Sequence, residues 1–235
     1  MAKTKLKALI YGFGLCLFST GAAAAGVVFS GTEASTGESY SYLGAVNPLP
    51  GATLETGWFA IAVADYLTYS YHTEANGQPV KITVRAPGFS SGLGYRFNDK
   101  TQILEFSLKA GVQNLNHAPG IATSDPQGNR YKVSPGVYWQ RQITPQWTAN
   151  VRAAYDFGPR SYWSQAKLAY APNWRWQVGP VITAGGGVNY QSRKVGGFFQ
   201  VNLGQGVSIA PELGLSFKPS QPTRAYGSLA LSALF

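Results

Sequence analysis

Apolar and polar residues alternate with a period of two along almost the whole chain after residue 25, and no stretch holds a helical period. In 146–157, Trp147, Ala149, Val151, Ala153 and Tyr155 alternate with Thr148, Asn150, Arg152 and Asp156. In 101–113, Leu104, Phe106, Leu108, Ala110 and Val112 alternate with Glu105, Ser107, Lys109 and Gln113. The pattern predicts twelve strands, at 26–36, 38–47, 56–72, 79–97, 101–115, 130–142, 146–157, 161–171, 174–189, 193–203, 206–217 and 223–235. An apolar face with an aromatic at each end suits a lipid-facing band between interfacial girdles. Ten residues tilted near 45° rise about 23 Å, close to the apolar height of such barrels. The last strand runs to the C-terminal residue, with Leu229, Leu231, Ala233 and Phe235 on one face.

The connections sort by length. If the first strand runs outward, the periplasmic turns are 47–55, 98–101, 143–146, 172–174 and 204–206. Asn98-Asp99-Lys100 and Thr144-Pro145-Gln146 carry turn chemistry. The other end receives 72–79, 116–130, 157–161 and 218–223, including the longest polar loop. The expected fold is therefore all-β: a single antiparallel transmembrane β-barrel of about twelve strands over 26–235, with both termini periplasmic.

Two strands break the alternation. In 79–97 the apolar face changes parity between Val84 and Phe89, across Ala86-Pro87-Gly88, which predicts a β-bulge. Asp65 falls among apolar positions of 56–72 taken as outward, where a charge would be costly. A second bulge turning Asp65 into the lumen is the expectation there.

The first 25 residues read as a cleaved secretory signal. Lys3, Lys5 and Lys7 precede the apolar run 8–18, and Ala22 to Ala25 supply small residues for cleavage. The run is about half the length of a membrane-spanning helix. Cys16, the chain's single cysteine, lies in this segment, so the mature protein has no thiol chemistry. Loss of three lysines lowers the formal charge from +9 to +6. Charged residues are only 12% of the chain and mean hydropathy is −0.09. That balance suits a barrel, in which the two faces cancel.

The polar face collects Lys81, Arg85, Glu105, Lys109, Lys132, Arg152, Asp156, Lys167 and Glu212, with Tyr66, Tyr138, Trp163 and Phe198 among them. Six bases against three acids predict a mildly cationic lumen, either an open pore or an interior plugged by ion pairs. Enzyme chemistry has little material. The histidines are His72 and His117, both in expected outer loops, and no G-x-S-x-G occurs. A rim site of His117 with Ser124 or Asp125 is the one hydrolase constellation to weigh. No metal-ligand spacing is present, Gly185-Gly186-Gly187 lacks the residues of a phosphate loop, and no cofactor is implied. Basic residues form no stripe, which argues against nucleic acid despite the basic pI.

The mature N-terminus reads Val27-Val28-Phe29-Ser30-Gly31-Thr32-Glu33, then Ser39-Tyr40-Ser41-Tyr42-Leu43-Gly44-Ala45-Val46 and Pro48-Leu49-Pro50-Gly51. This opening resembles that of the BcsS family of proteobacterial cellulose-biosynthesis proteins, and Gly57-Trp58-Phe59 continues it more loosely. The resemblance implies an outer-membrane protein of a Gram-negative bacterium, associated with cellulose production or export. It carries over no catalytic residue. Its partners would be outer-membrane lipid, a glucan chain and other components of a cellulose secretion system. Tyr66, Tyr138 and Trp163 are the candidates for stacking on sugar rings. The alternatives are a passive porin for small anionic oligosaccharides and a plugged structural barrel docking a periplasmic partner.

Overall fold

The computed structural model describes residues 26–75, 78–118, 127–188, 190–219 and 221–235. Twelve strands form one closed antiparallel barrel in which each pairs with its sequence neighbours and the first pairs with the last. They are β1 Val27–Ser35, β2 Glu38–Pro48, β3 Gly57–Ala75, β4 Gln78–Asn98, β5 Gln102–Ala118 and β6 Gly128–Gln142, then β7 Trp147–Asp156, β8 Ser161–Asn173, β9 Trp176–Gly186, β10 Gln191–Gly204, β11 Val207–Phe217 and β12 Arg224–Leu234. Closure joins β1 to β12 without a break, from Val27 opposite Leu234 to Ser35 opposite Tyr226. Gly26 and Phe235 exchange backbone hydrogen bonds of 2.9 and 3.0 Å, sealing the seam at the end where both termini lie. A closed sheet leaves no unpaired backbone edge, which is what permits strands to face hydrocarbon.

The turns at that terminal end are held by short polar side chains, as their composition predicts. Asp99 accepts from the backbone N–H of Thr101 and Gln102 at 3.1 and 2.8 Å. Asn173 accepts from Arg175 and Trp176, and Thr144 from Gln146 and Trp147. The Thr101 hydroxyl and these backbone donors lower the Asp99 pKa below the usual carboxylate value. A depressed carboxylate pKa contributes its stability above the unfolded value and loses it as pH falls through the folded one. Protection of the Thr101 and Gln102 amides, relative to their intrinsic exchange rates, should therefore fall on acidification below about pH 4, and an Asp99→Asn variant should lose that pH dependence.

The outer surface carries the expected band. Leu93, Phe106, Leu108 and Leu213 are all at least half exposed while sitting in mid-strand. Aromatic pairs rim the terminal end: Trp58–Tyr95, Trp147–Tyr170 and Trp176–Phe199, with ring centroids 5.2, 5.0 and 6.0 Å apart. Tyr66, Phe89, Tyr131, Tyr155 and Tyr162 are exposed toward the opposite, loop end. No helix among the described residues is long and apolar enough to cross a membrane.

Neither predicted bulge exists. The β3–β4 register runs unbroken from Gly57 opposite Arg96 to Ala75 opposite Gln78, and β4–β5 keeps one register from Thr83 to Asn98. The apolar residues of β4 change sides instead of the backbone. Ile82, Val84 and Ala86 are wholly buried inside, while Phe89, Leu93 and Phe97 are exposed outside. In β3 the inward set is Phe59, Ile61, Val63 and Asp65, opposite the lumenal Gly94, Gly92, Ser90 and Gly88. Trp58, Ala60, Ala62, Ala64 and Tyr66 therefore face outward. The lumen therefore holds apolar side chains toward the loops, from β4, and toward the terminal end, from β3, so an apolar residue on these strands no longer marks the lipid side. The register shifts that do occur fall near strand ends, between Asn202 and Gly204 and between Tyr170 and Asn173.

Candidate functional site in the barrel lumen

Closure and unbroken pairing fix which predicted residues meet. Glu105, Lys109, Lys132, Arg152, Asp156, Lys167 and Glu212 all occupy inward positions, as do Tyr138, Trp163 and Phe198. Tyr66, Lys81 and Arg85 do not. Each is exposed on the outward face: Lys81 and Arg85 because the expected bulge in β4 is absent, and Tyr66 because β3 turns the side carrying Phe59, Ile61, Val63 and Asp65 inward. The lumen loses those two bases and gains Arg96, Arg130, Lys194, Lys218 and Arg224, against Glu33, Glu38 and Asp65, so bases still outnumber acids there.

The lumen is laced by ion pairs between strands that are not neighbours. Lys132 on β6 reaches Asp65 on β3 at 3.2 Å, with side chains 6% and 5% exposed. The Gln113 amide adds a 3.4 Å contact to the same carboxylate. Lys167 on β8 meets Glu212 on β11 at 3.0 Å, and the Tyr226 hydroxyl donates to that glutamate at 2.9 Å. Lys194 on β10 binds both Glu33 and Glu38 across the β12–β1 seam, and Lys218 closes on Glu38 at 2.6 Å. Ser134 donates to Asp156. Burial of this kind demands pairing, since a lone charge in so dry a place would be prohibitively costly. Aromatic rings fill the spaces between: Tyr40 lies beside Tyr42 and Tyr69 beside Tyr190, at 5.7 and 5.1 Å.

Between these pairs, part of the wall made by β6, β7 and β8 stays exposed. Tyr138, Arg152 and Gln165 lie in one cross-strand row, and Trp163 sits opposite Ala154 in the next row toward the loops. The Arg152 guanidinium lies 4.9 Å above the Tyr138 ring. The Tyr138 hydroxyl donates to Gln140, two residues nearer the terminal end. Trp163 is 41% exposed although it points into the barrel, and Arg152 is exposed too. Water therefore reaches this side. At the terminal mouth the wall opens into a cavity of about 600 Å³, lined by Thr56, Asn98, Gln102, Gln140, Gln142 and Thr148 among others. Its linings are mostly amides and hydroxyls, groups that both donate and accept hydrogen bonds. Arg96 braces one side of this mouth, gripping Glu105 at 2.6 Å and the Leu54 carbonyl of the β2–β3 connection.

The cross-lumen partners were hidden from a strand-by-strand reading. Glu33 and Glu38 flank a tight turn and look like rim residues until β10 is brought opposite them. Asp65 did signal itself, as a charge where the assumed face was apolar. His72 is exposed on β3, His117 lies on β5, and Ser124 and Asp125 fall outside the described residues. Among the described residues no three His, Cys, Asp or Glu side chains group as metal ligands.

The barrel's likenesses are to outer-membrane proteins. An outer-membrane channel from Pseudomonas putida F1 superposes with a TM-score of 0.57 at 11% identity, covering 94% of this chain and 98% of its own. The KdgM porin gives 0.51 at 9% identity over 89% and 99%. The translocator domain of the autotransporter NalP from Neisseria meningitidis gives 0.51 at 11% identity over 100% and 98%. At such identities the likeness is one of fold, and together with the apolar band it defines a twelve-stranded outer-membrane β-barrel. No individually curated protein is significantly similar to the chain. The model of the cellulose biosynthesis protein BcsS family matches residues 27–235, and the chain belongs to that family.

Proposed function

We propose that this barrel serves cellulose production by holding and guiding a neutral glucan chain through the outer membrane, without catalysing a reaction. The observation that carries the reading is the solvated β6–β8 wall, where Tyr138 and Trp163 face inward above an amide-lined mouth. Sugar rings present apolar C–H faces and a hydroxyl rim. An aromatic wall with flanking amides offers both surfaces their complement at little electrostatic cost. In this reading residues 1–25 are removed as a secretory signal, both termini lie in the periplasm, and the terminal mouth receives glucan from the secretion machinery. The family match from residue 27 is consistent with that boundary.

A passive porin for anionic oligosaccharides is the second reading, and Arg152, exposed in the lumen, favours it. The pairing of Lys132, Lys167 and Lys194 with carboxylates removes much of the track such a porin needs. Single-channel current in a planar bilayer, titrated with cello-oligosaccharides, separates the two. Cello-oligosaccharides should block the current, and a Tyr138→Ala/Trp163→Ala double variant should weaken the block by about tenfold. Block by acidic sugars alone would favour the porin, and an absence of any current would make the barrel a docking element for a periplasmic partner.

A further inference from the structure

Lys81 and Arg85, displaced from the lumen by the unbroken register, stand on a different surface. β3 to β6 are the longest strands, and the β3–β4 hairpin continues past the β1–β2 turn, whose Gly37 carbonyl accepts from Ser70 at 3.0 Å. On the outward face of β4, Phe89 ends the apolar band, Pro87 follows, and Arg85, Thr83 and Lys81 come next. Arg85 lies opposite Thr68 and Asn116, and Lys81 opposite His72. Both cations are exposed, and neither has an ion-pair or hydrogen-bond partner among the described residues. Glu74, the nearest outward carboxylate on β3, sits farther along the hairpin, opposite Pro79.

We infer that this facet binds the phosphates of a glycolipid in the outer leaflet of the membrane. Its height is that of a headgroup, immediately beyond the aromatic ring of Phe89 and Tyr66. Basic side chains so placed are attracted to an anionic leaflet, while the same charges lower on the strand would face hydrocarbon. Arg85 and Lys81 are four residues apart, about 13 Å along a strand, a spacing that suits two phosphates on one headgroup. Thr68, Thr83 and Asn116 supply hydroxyl and amide groups for the sugars that carry them. The inference rests on the proposed orientation, with both termini in the periplasm, and is independent of what passes through the lumen.

The test compares diphosphorylated lipid A, its dephosphorylated form, phosphatidylglycerol and inorganic phosphate, each added to the protein extracted from outer membranes in neutral detergent. Diphosphorylated lipid A should be retained in native mass spectrometry, and a Lys81→Gln/Arg85→Gln variant should bind it about 30-fold more weakly, each contact contributing a factor near five. A Lys81→Arg/Arg85→Lys variant, which keeps both charges, should retain it and guards against misfolding of the first. Equal affinity of wild type and the glutamine variant would overturn the inference. So would equal binding of the dephosphorylated lipid, of phosphatidylglycerol or of free phosphate.

Discussion

Replacing Asp65 with Asn should destabilise the barrel by about 3–5 kcal/mol, the usual consequence of stranding one member of a buried pair. Asp65 and Lys132 are each about 5% exposed, and Lys109 lies in the electrostatic neighbourhood of both. The amide keeps the shape of the carboxylate and removes only its charge, so the loss reports on Lys132 left without an anion. Urea unfolding in phospholipid vesicles, followed by tryptophan fluorescence, measures it. A Lys132→Met change should cost a similar amount, while the double variant should recover most of the loss, because no buried charge then remains. If Asp65→Asn unfolds at the wild-type midpoint, the pair is bathed in water and the buried ion-pair network described above does not exist.

Lys194→Met should be the next most damaging single change, at about 2–3 kcal/mol. This lysine is 10% exposed and holds Glu33 and Glu38 on the strands that flank the β1–β2 turn. Its removal leaves Glu33 with no cation, while Glu38 keeps Lys218 at 2.6 Å. Glu33 retains 23% exposure, which is why the cost falls below that at Asp65. The β1–β12 seam is where the barrel closes, so the damage should appear there first. Hydrogen exchange at Glu33 and Ser228, which face each other across the seam, should rise more than exchange in β5 and β6. Uniform loosening of all strands would contradict this account.

The two variants act through contacts between β3 and β6 and between β10 and β1, and such contacts mark the boundary of what alternation reveals. Period-two patterning located all twelve strands to within a few residues, because each strand must pair along its backbone and turn one face to lipid. The turn residues Asn98-Asp99-Lys100 and Thr144-Pro145-Gln146 announced themselves through the same local hydrogen bonds the structure contains. In β5 and β7 the faces were legible as well, since their lumenal residues are mostly polar and their outward ones apolar.

β3 and the outer half of β4 were not legible in that way. Phe59, Ile61 and Val63 are apolar yet inward, and Tyr66, Lys81 and Arg85 are outward. A single strand presents only an alternation, and which half points inward is set by its partners. For β3 the decision came from Gly88 and Gly94 on β4, whose missing side chains leave room for Asp65 and Phe59. The sequence alone therefore determined the membrane barrel, its strand order and its turns, which depend on local pairing and on burial against lipid. The tertiary structure decided which charges meet across the lumen, which wall stays wet and which cations look outward. Those outcomes depend on distances between strands far apart in the chain, and closure of the sheet is what brings them together.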